Sequence, residues 1–184
     1  TPSNSSAASD VYKRQDLSGL VTTGHYSSPV FRRGVHWLKF KGVLDVAESM
    51  ARLLIPRLVV IDTLKGLRNK AVLVPVPLHK RKLNKRGFNQ SEIIAEIIGR
   101  YTNIPVIEAI ERTRSTWTQT KLPADLRKEN LIGSFSVTER LPSDRNLCLL
   151  VDDVVTTGST LSEAAQVLAT DSNREIWGVA MARG

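Results

Sequence analysis

Cys148 to Thr160 reads CLLVDDVVTTGST. Four apolar residues in a row suit a strand covered on both faces, which is the environment of a parallel sheet. Two carboxylates follow at once, then two more apolar residues and a run of hydroxyls around one glycine. In an open parallel sheet, ligands collect at the carboxyl ends of strands. Asp152 and Asp153 therefore fall at the ligand-bearing rim. The loop Val154–Thr160 leads into a helix, whose first backbone amides lack partners and carry the positive end of the helix dipole. That is a seat for an anion. Gly158 permits a tight turn, and Thr156, Thr157, Ser159 and Thr160 add hydroxyl donors. A phosphate monoester fits the loop. The two acids repel a bare phosphate chain but accept from a sugar diol, so ribose 5-phosphate matches the spacing. Spacing alone leaves a second reading open, in which the acids merely cap a helix. Neither a G-x-x-x-x-G-K-[ST] loop nor a G-x-G-x-x-G following a strand is present.

The surrounding pattern alternates. Residues 28–40 read as a short helix with Ser28 as cap and Pro29 in its first turn. In 43–55, Val43, Val46, Ala47, Met50 and Leu54 share one helical face, and Pro56 bends this helix or starts another reaching about Leu67. KAVLVPVPL, Lys70 to Leu78, is a buried strand entering a proline-marked loop. Asn89 or Ser91 caps a helix over EIIAEIIGRY, with Ile93, Ile94, Ile97 and Ile98 inward. Residues 104–110 are a second strand, CLLV a third and EIWGVAMA a fourth. The polar stretch between 111 and 131 is a long loop. Strands separated by helices predict an α/β fold with a mostly parallel sheet flanked by helices. Trp37 and Trp177, among apolar neighbours, are expected in the core.

Residues 1–16 lack periodicity and an apolar leader, and read as a disordered tail, either native or an appended scar. Residues 17–184 form the domain, with 17–69 as its N-terminal helical or hood portion. No apolar run approaches the ~20 residues that cross a bilayer, so no membrane association is expected. The lone Cys148 forms no intrachain disulfide, and cytoplasm is the default location. Of the net charge of +8, residues 1–95 carry +10 and residues 96–184 carry −2. This asymmetry points to an anionic partner for the first half.

Strand, two acids, two apolar residues and TTG-x-T resemble the phosphoribosyl-diphosphate (PRPP) motif of type I phosphoribosyltransferases. VPVPLHKRKLNKRGFNQSEIIAEII, RTRSTWTQTKLPADLRKENLIGSF and IWGVAMARG narrow the resemblance to the ComF family, competence-associated proteins and relatives linked to gluconate uptake. It begins near Gly24, His25 and Tyr26 and includes LKFKG at 38–42. The resemblance implies the type I phosphoribosyltransferase fold and a PRPP or ribose-phosphate ligand with Mg²⁺. Asp152 and Asp153 would be catalytic and hold the ribose hydroxyls, with Val154, Val155, Thr156, Thr157, Gly158, Ser159 and Thr160 around the 5-phosphate. By position, the pyrophosphate loop is 76–89, with Arg81, Arg86 and Gly87 as its candidates. Arg112, Gln119, Arg127 and Asn130 match the flexible hood. Trp117, in the same stretch, is a candidate either to stack on a base or to pack against the core. Many members carry a zinc ribbon built on paired C-x-x-C motifs; with one cysteine here, no structural zinc is expected.

The implied reaction is pentosyl transfer, a glycosyltransferase step of nucleotide metabolism that displaces pyrophosphate from C1. No acceptor is named by any residue. Mg²⁺ would arrive with PRPP rather than on direct protein ligands. The family also implies DNA uptake, so single-stranded DNA and competence proteins are candidate partners. A non-catalytic DNA-binding or protein-interaction factor in transformation is the alternative function. Against a base-stacking platform, aromatics make up only 5% of the chain. The N-terminal helices are the candidate surface for a homodimer.

Overall fold

In the computed structural model, residues 17–41, 44–113, 133–169 and 174–184 are described. The tail 1–16 lies outside them, as do Trp117, Gln119, Arg127 and Asn130. Four parallel strands form the central sheet in the order β1-β6-β5-β2. They are β1 (Gly19–His25), β2 (Ala71–Pro75), β5 (Leu147–Val155) and β6 (Glu175–Arg183). The expected α/β architecture, a mostly parallel sheet flanked by helices, is the one observed and agrees with a type I phosphoribosyltransferase-like fold.

Both faces of the sheet are covered, as the continuous apolar strands require. Leu147, Leu149 and Val151 of β5 pack with α1 (Pro29–Lys41), α2 (Leu44–Lys65) and α5 (Gln90–Thr102). The alternate residues Cys148 and Leu150 pack with Leu161, Ala164, Ala165 and Leu168 of α6 (Ser159–Ala169). Period-two alternation along β5 thus divides one strand between two cores.

Several elements depart from expectation. Residues 17–69 open with a strand, β1, which pairs with β6 from Gly19↔Trp177 to His25↔Arg183. Its two glycines and two threonines give no strong strand signal. The sheet nevertheless needs a glycine at 19, because a Cβ there would stand 2.8 Å from the Trp177 ring. Pro56 lies inside a continuous α2. The helix ends instead at Gly66, whose φ of 67° is left-handed, and the short α3 (Leu67–Lys70) follows. Residues 80–86, expected as loop, form the helix α4 (Lys80–Arg86). Of the expected strand 104–110, Val106 makes a single parallel bridge to Leu73. The neighbouring β3 (Ile110–Arg112) pairs antiparallel with β4 (Phe135–Val137). Trp177 is buried, whereas Trp37 is 43% exposed. Val35 and Leu38 take the inner face of α1, which turns Trp37 outward.

One detail of pairing opens the site. β5 runs alongside β6 as far as Val155↔Arg183, but alongside β2 only to Val151↔Pro75. Past Pro75 the chain turns away, so the carboxyl end of β5 has no β2 neighbour. Asp152 and Asp153 occupy that overhang.

Candidate functional site

A cavity of about 490 Å³ lies at this overhang, lined by residues 152–161, by Tyr26 just past β1, by residues 76–78 after β2, and by side chains from α1, α4, α5 and β3. It gathers both acids and the whole loop behind them. Gly158 takes φ 70°, and α6 starts at the next residue. The Gly158 carbonyl accepts from the Ser162 N–H at 2.9 Å, closing the first helical turn. Thr157 Oγ1 and Ser159 Oγ lie 2.8 Å apart. No acidic residue stands in the first turn of α6, so the positive helix end faces the cavity without a carboxylate of its own.

Neither aspartate caps α6. Asp152 Oδ1 accepts from the Asp153 N–H at 2.8 Å and from Ser91 Oγ at 3.2 Å. Asp153, 4% exposed, meets Lys39 Nζ at 2.8 Å through Oδ2. That oxygen receives no aligned hydrogen bond; Lys39 meets it as a charge. The helix-cap reading is therefore set aside for both acids. Burial, followed by the neighbouring Asp153 charge, pushes the Asp152 carboxyl up to about 7.

Ser91 reaches Asp152 because of a local capping arrangement. Asn89 caps α5, its Oδ1 accepting from the Ser91 N–H at 3.2 Å, and its Nδ2 donates to the Val76 carbonyl at 3.2 Å. Ser91, one residue inside the helix, keeps its hydroxyl for the acid. Of the alternatives Asn89 and Ser91, the cap is Asn89. Ile94, Ile97 and Ile98 are buried, with Ile93 half-buried against the same core.

Facing the acids is a set of cations. Arg86 lines the cavity, donates to Gln90 Oε1, and lies 5.9 Å from the Phe40 ring centroid. Arg112, 9% exposed, reaches it from β3 with its guanidinium 5.3 Å from the Phe135 ring centroid. Loss of hydration lowers the Arg112 pKa, while Asp152 and Glu163 act in the opposite direction. Lys82 stands exposed at the mouth. Its ammonium pKa is lowered by lost hydration, then by Arg112, Arg86 and Lys39. Three neighbouring cations acting against the charge of one lysine mark a place where positive charge is concentrated and an anion is welcome.

The expected site residues are thus distributed unevenly. Residues 152–160, Arg86 and Arg112 share the cavity. Arg81 is exposed and does not line it. Gly87 is the left-handed end of α4, at φ 82°. Lys82, within the expected pyrophosphate loop 76–89, lines the cavity, and Lys39, Ser91, Gln90 and Tyr26 line it without having been singled out as site residues. Lys82 carried a signal, lying in the basic run between His79 and Arg86. Lys39 lies in a stretch noted only for resemblance. Cys148 is buried in β5 and burial pushes its thiol up to about 12, as suits a packing residue.

No protein-family model matches the chain. It is 39% identical over 150 residues to the DNA utilization protein YhgH of Escherichia coli K12, covering 81% of this chain and 65% of that protein. It is 33% identical over 169 residues to Competence protein F of Haemophilus influenzae, covering 89% of this chain and 72% of that protein. A shorter similarity, 34% over 99 residues, links 53% of this chain to 38% of Competence protein ComFC of Bacillus subtilis. The chain therefore spans just under two thirds of the YhgH protein's length.

Proposed function

The chain belongs to the ComF family, and from that premise we propose that its cavity binds PRPP or a related ribose 5-phosphate ligand. The observation that carries this reading is one of placement. Two acids on a strand end that β2 leaves uncovered, a left-handed Gly158 before α6, and four basic side chains line the same cavity. The loop and helix end take the 5-phosphate. Asp152 and Asp153 take ribose hydroxyls, and Lys82, Arg86 and Arg112 meet the remaining phosphoryl oxygens.

The chemistry this arrangement suits is pentosyl transfer. The C1–O bond to pyrophosphate breaks, its electron pair leaves with pyrophosphate as the ring gains positive charge, and an acceptor nucleophile forms the new bond to C1. The acid pair stabilises that ring, and the cations stabilise the departing group. Among the described residues, no three His, Cys, Asp or Glu gather around a metal position. With Asp153 occupied by Lys39, the donor set fits an Mg²⁺ held by ligand oxygens and at most by Asp152. Bound there, Mg²⁺ would offset negative charge on the leaving group.

The relatives' names, DNA utilization protein and competence protein, support a place for this chain in DNA uptake or use. No helix among the described residues is long and apolar enough to cross a membrane. The test of the ligand is thermal: PRPP with Mg²⁺ raises the melting temperature of the chain, and Asp152→Asn abolishes most of that rise. An equal rise in the variant overturns the assignment.

A further inference from the structure

The Lys39–Asp153 contact has no counterpart in the motif read from the sequence. Lys39 comes from the far end of α1, while Asp153 belongs to β5. The aspartate side chain is 5% exposed and the lysine side chain 27% exposed. One partner is sunk in the fold while the other remains open to the cavity. Breaking such a pair leaves a buried charge without compensation, which a neutral sugar hydroxyl does not repair. The pair therefore persists when a ligand enters.

An ammonium carries three donors, and the Asp153 contact engages one side of it. Lys39 acts electrostatically on Asp152 and on Lys82 as well. It thus lies within electrostatic reach of both the acid pair and Lys82, in the cavity that Arg86 and Arg112 also line. A ligand with hydroxyls at one end and phosphoryl oxygens at the other faces a difficulty in this cavity, because its anionic part must settle beside two carboxylates. A cation already held against one of those carboxylates and open to the cavity removes that difficulty.

We propose that Lys39 is a bridging cation of the binding site, holding Asp153 on one side and a phosphoryl oxygen of the ligand on the other. The proposal rests on the phosphorylated-pentose reading and adds to it a residue and a consequence. Part of the charge neutralisation is built into the protein, so PRPP binding keeps a component that needs no divalent cation.

The experiment is calorimetric titration of the whole chain with PRPP, once in EDTA and once in Mg²⁺, for wild type, Lys39→Gln and Lys39→Arg. In EDTA, Lys39→Gln binds roughly tenfold or more weakly, the low end for a lost hydrogen bond to a charged group. Lys39→Arg recovers most of the affinity, and Mg²⁺ narrows the gap. Binding by Lys39→Gln within twofold of wild type in EDTA overturns the proposal, as does an equal loss in Lys39→Arg. Should Lys39→Gln fail to fold, lysine acetylation of wild type followed by mass spectrometry decides the matter. PRPP in EDTA shields Lys39 while leaving the exposed Lys80 reactive; unchanged labelling at Lys39 overturns the bridge. If wild type binds PRPP in neither buffer, the phosphorylated-pentose reading itself fails, and the bridge with it.

Discussion

Asp152 and Asp153 are neighbours in sequence with different surroundings. Asp153 has a lysine against it; Asp152 has a serine hydroxyl and a backbone amide. The proton affinity of Asp152 is raised, from an ordinary 3.8 to about 7. A raised carboxyl means that the folded chain holds a proton that the unfolded chain has already released. Stability at this position is therefore greatest below the unfolded value and declines as pH rises toward about 7. Melting curves of the ligand-free chain between about pH 5 and pH 8 should show this decline, and Asp152→Asn should flatten it. A variant with the same slope as wild type would show that another group titrates there.

At the scale of elements, α5 serves the site through its first residues. Asn89 fastens the helix to the turn after β2 by accepting from Ser91 and donating to the Val76 carbonyl. Asn89→Ala removes a cap and strands a buried carbonyl, so the loss of stability should be about 1–3 kcal/mol. Chemical denaturation measures it. The same change frees the first turn carrying Ser91, so PRPP affinity should fall as well; unchanged affinity would detach the cap from the site. On the other side, Glu163 of α6 accepts from the Ser134 N–H at 2.7 Å and from its hydroxyl at 3.2 Å. This ties α6 to the residue before β4, the strand that pairs with Arg112. α5 and α6 thus brace opposite walls of one cavity.

At the scale of the whole molecule, a net charge of +8 concentrated in the first half favours polyanions in general. Arg86 faces the cavity, while Arg81 faces solvent. Binding of single-stranded DNA would draw on both, whereas PRPP would draw on Arg86 alone. Replacing both arginines by glutamate should weaken oligonucleotide binding by roughly tenfold or more and reduce its salt dependence. Asp152→Asn should leave it nearly unchanged. Fluorescence anisotropy reads both, and an absence of binding at about 50 mM salt would remove nucleic acid as a direct ligand.

The β5–loop–α6 segment was legible in the chain alone because all its parts are contiguous. Apolar run, acids, glycine and hydroxyls dictate strand, rim, turn and helix through local rules. α5 was legible for the same reason, through its isoleucine spacing and its cap. β1 was not, because a short strand rich in glycine and threonine becomes a strand by pairing with β6, and Gly19 makes sense only beneath Trp177. Nor were Lys39 and the buried setting of Arg112, which depend on α1 and β3 arriving at the same strand end. Adjacent residues already determined which acids, hydroxyls and amides would line one cavity. Charge balance around that group was left to packing, since counter-ions are recruited across space and leave no periodic trace along a chain.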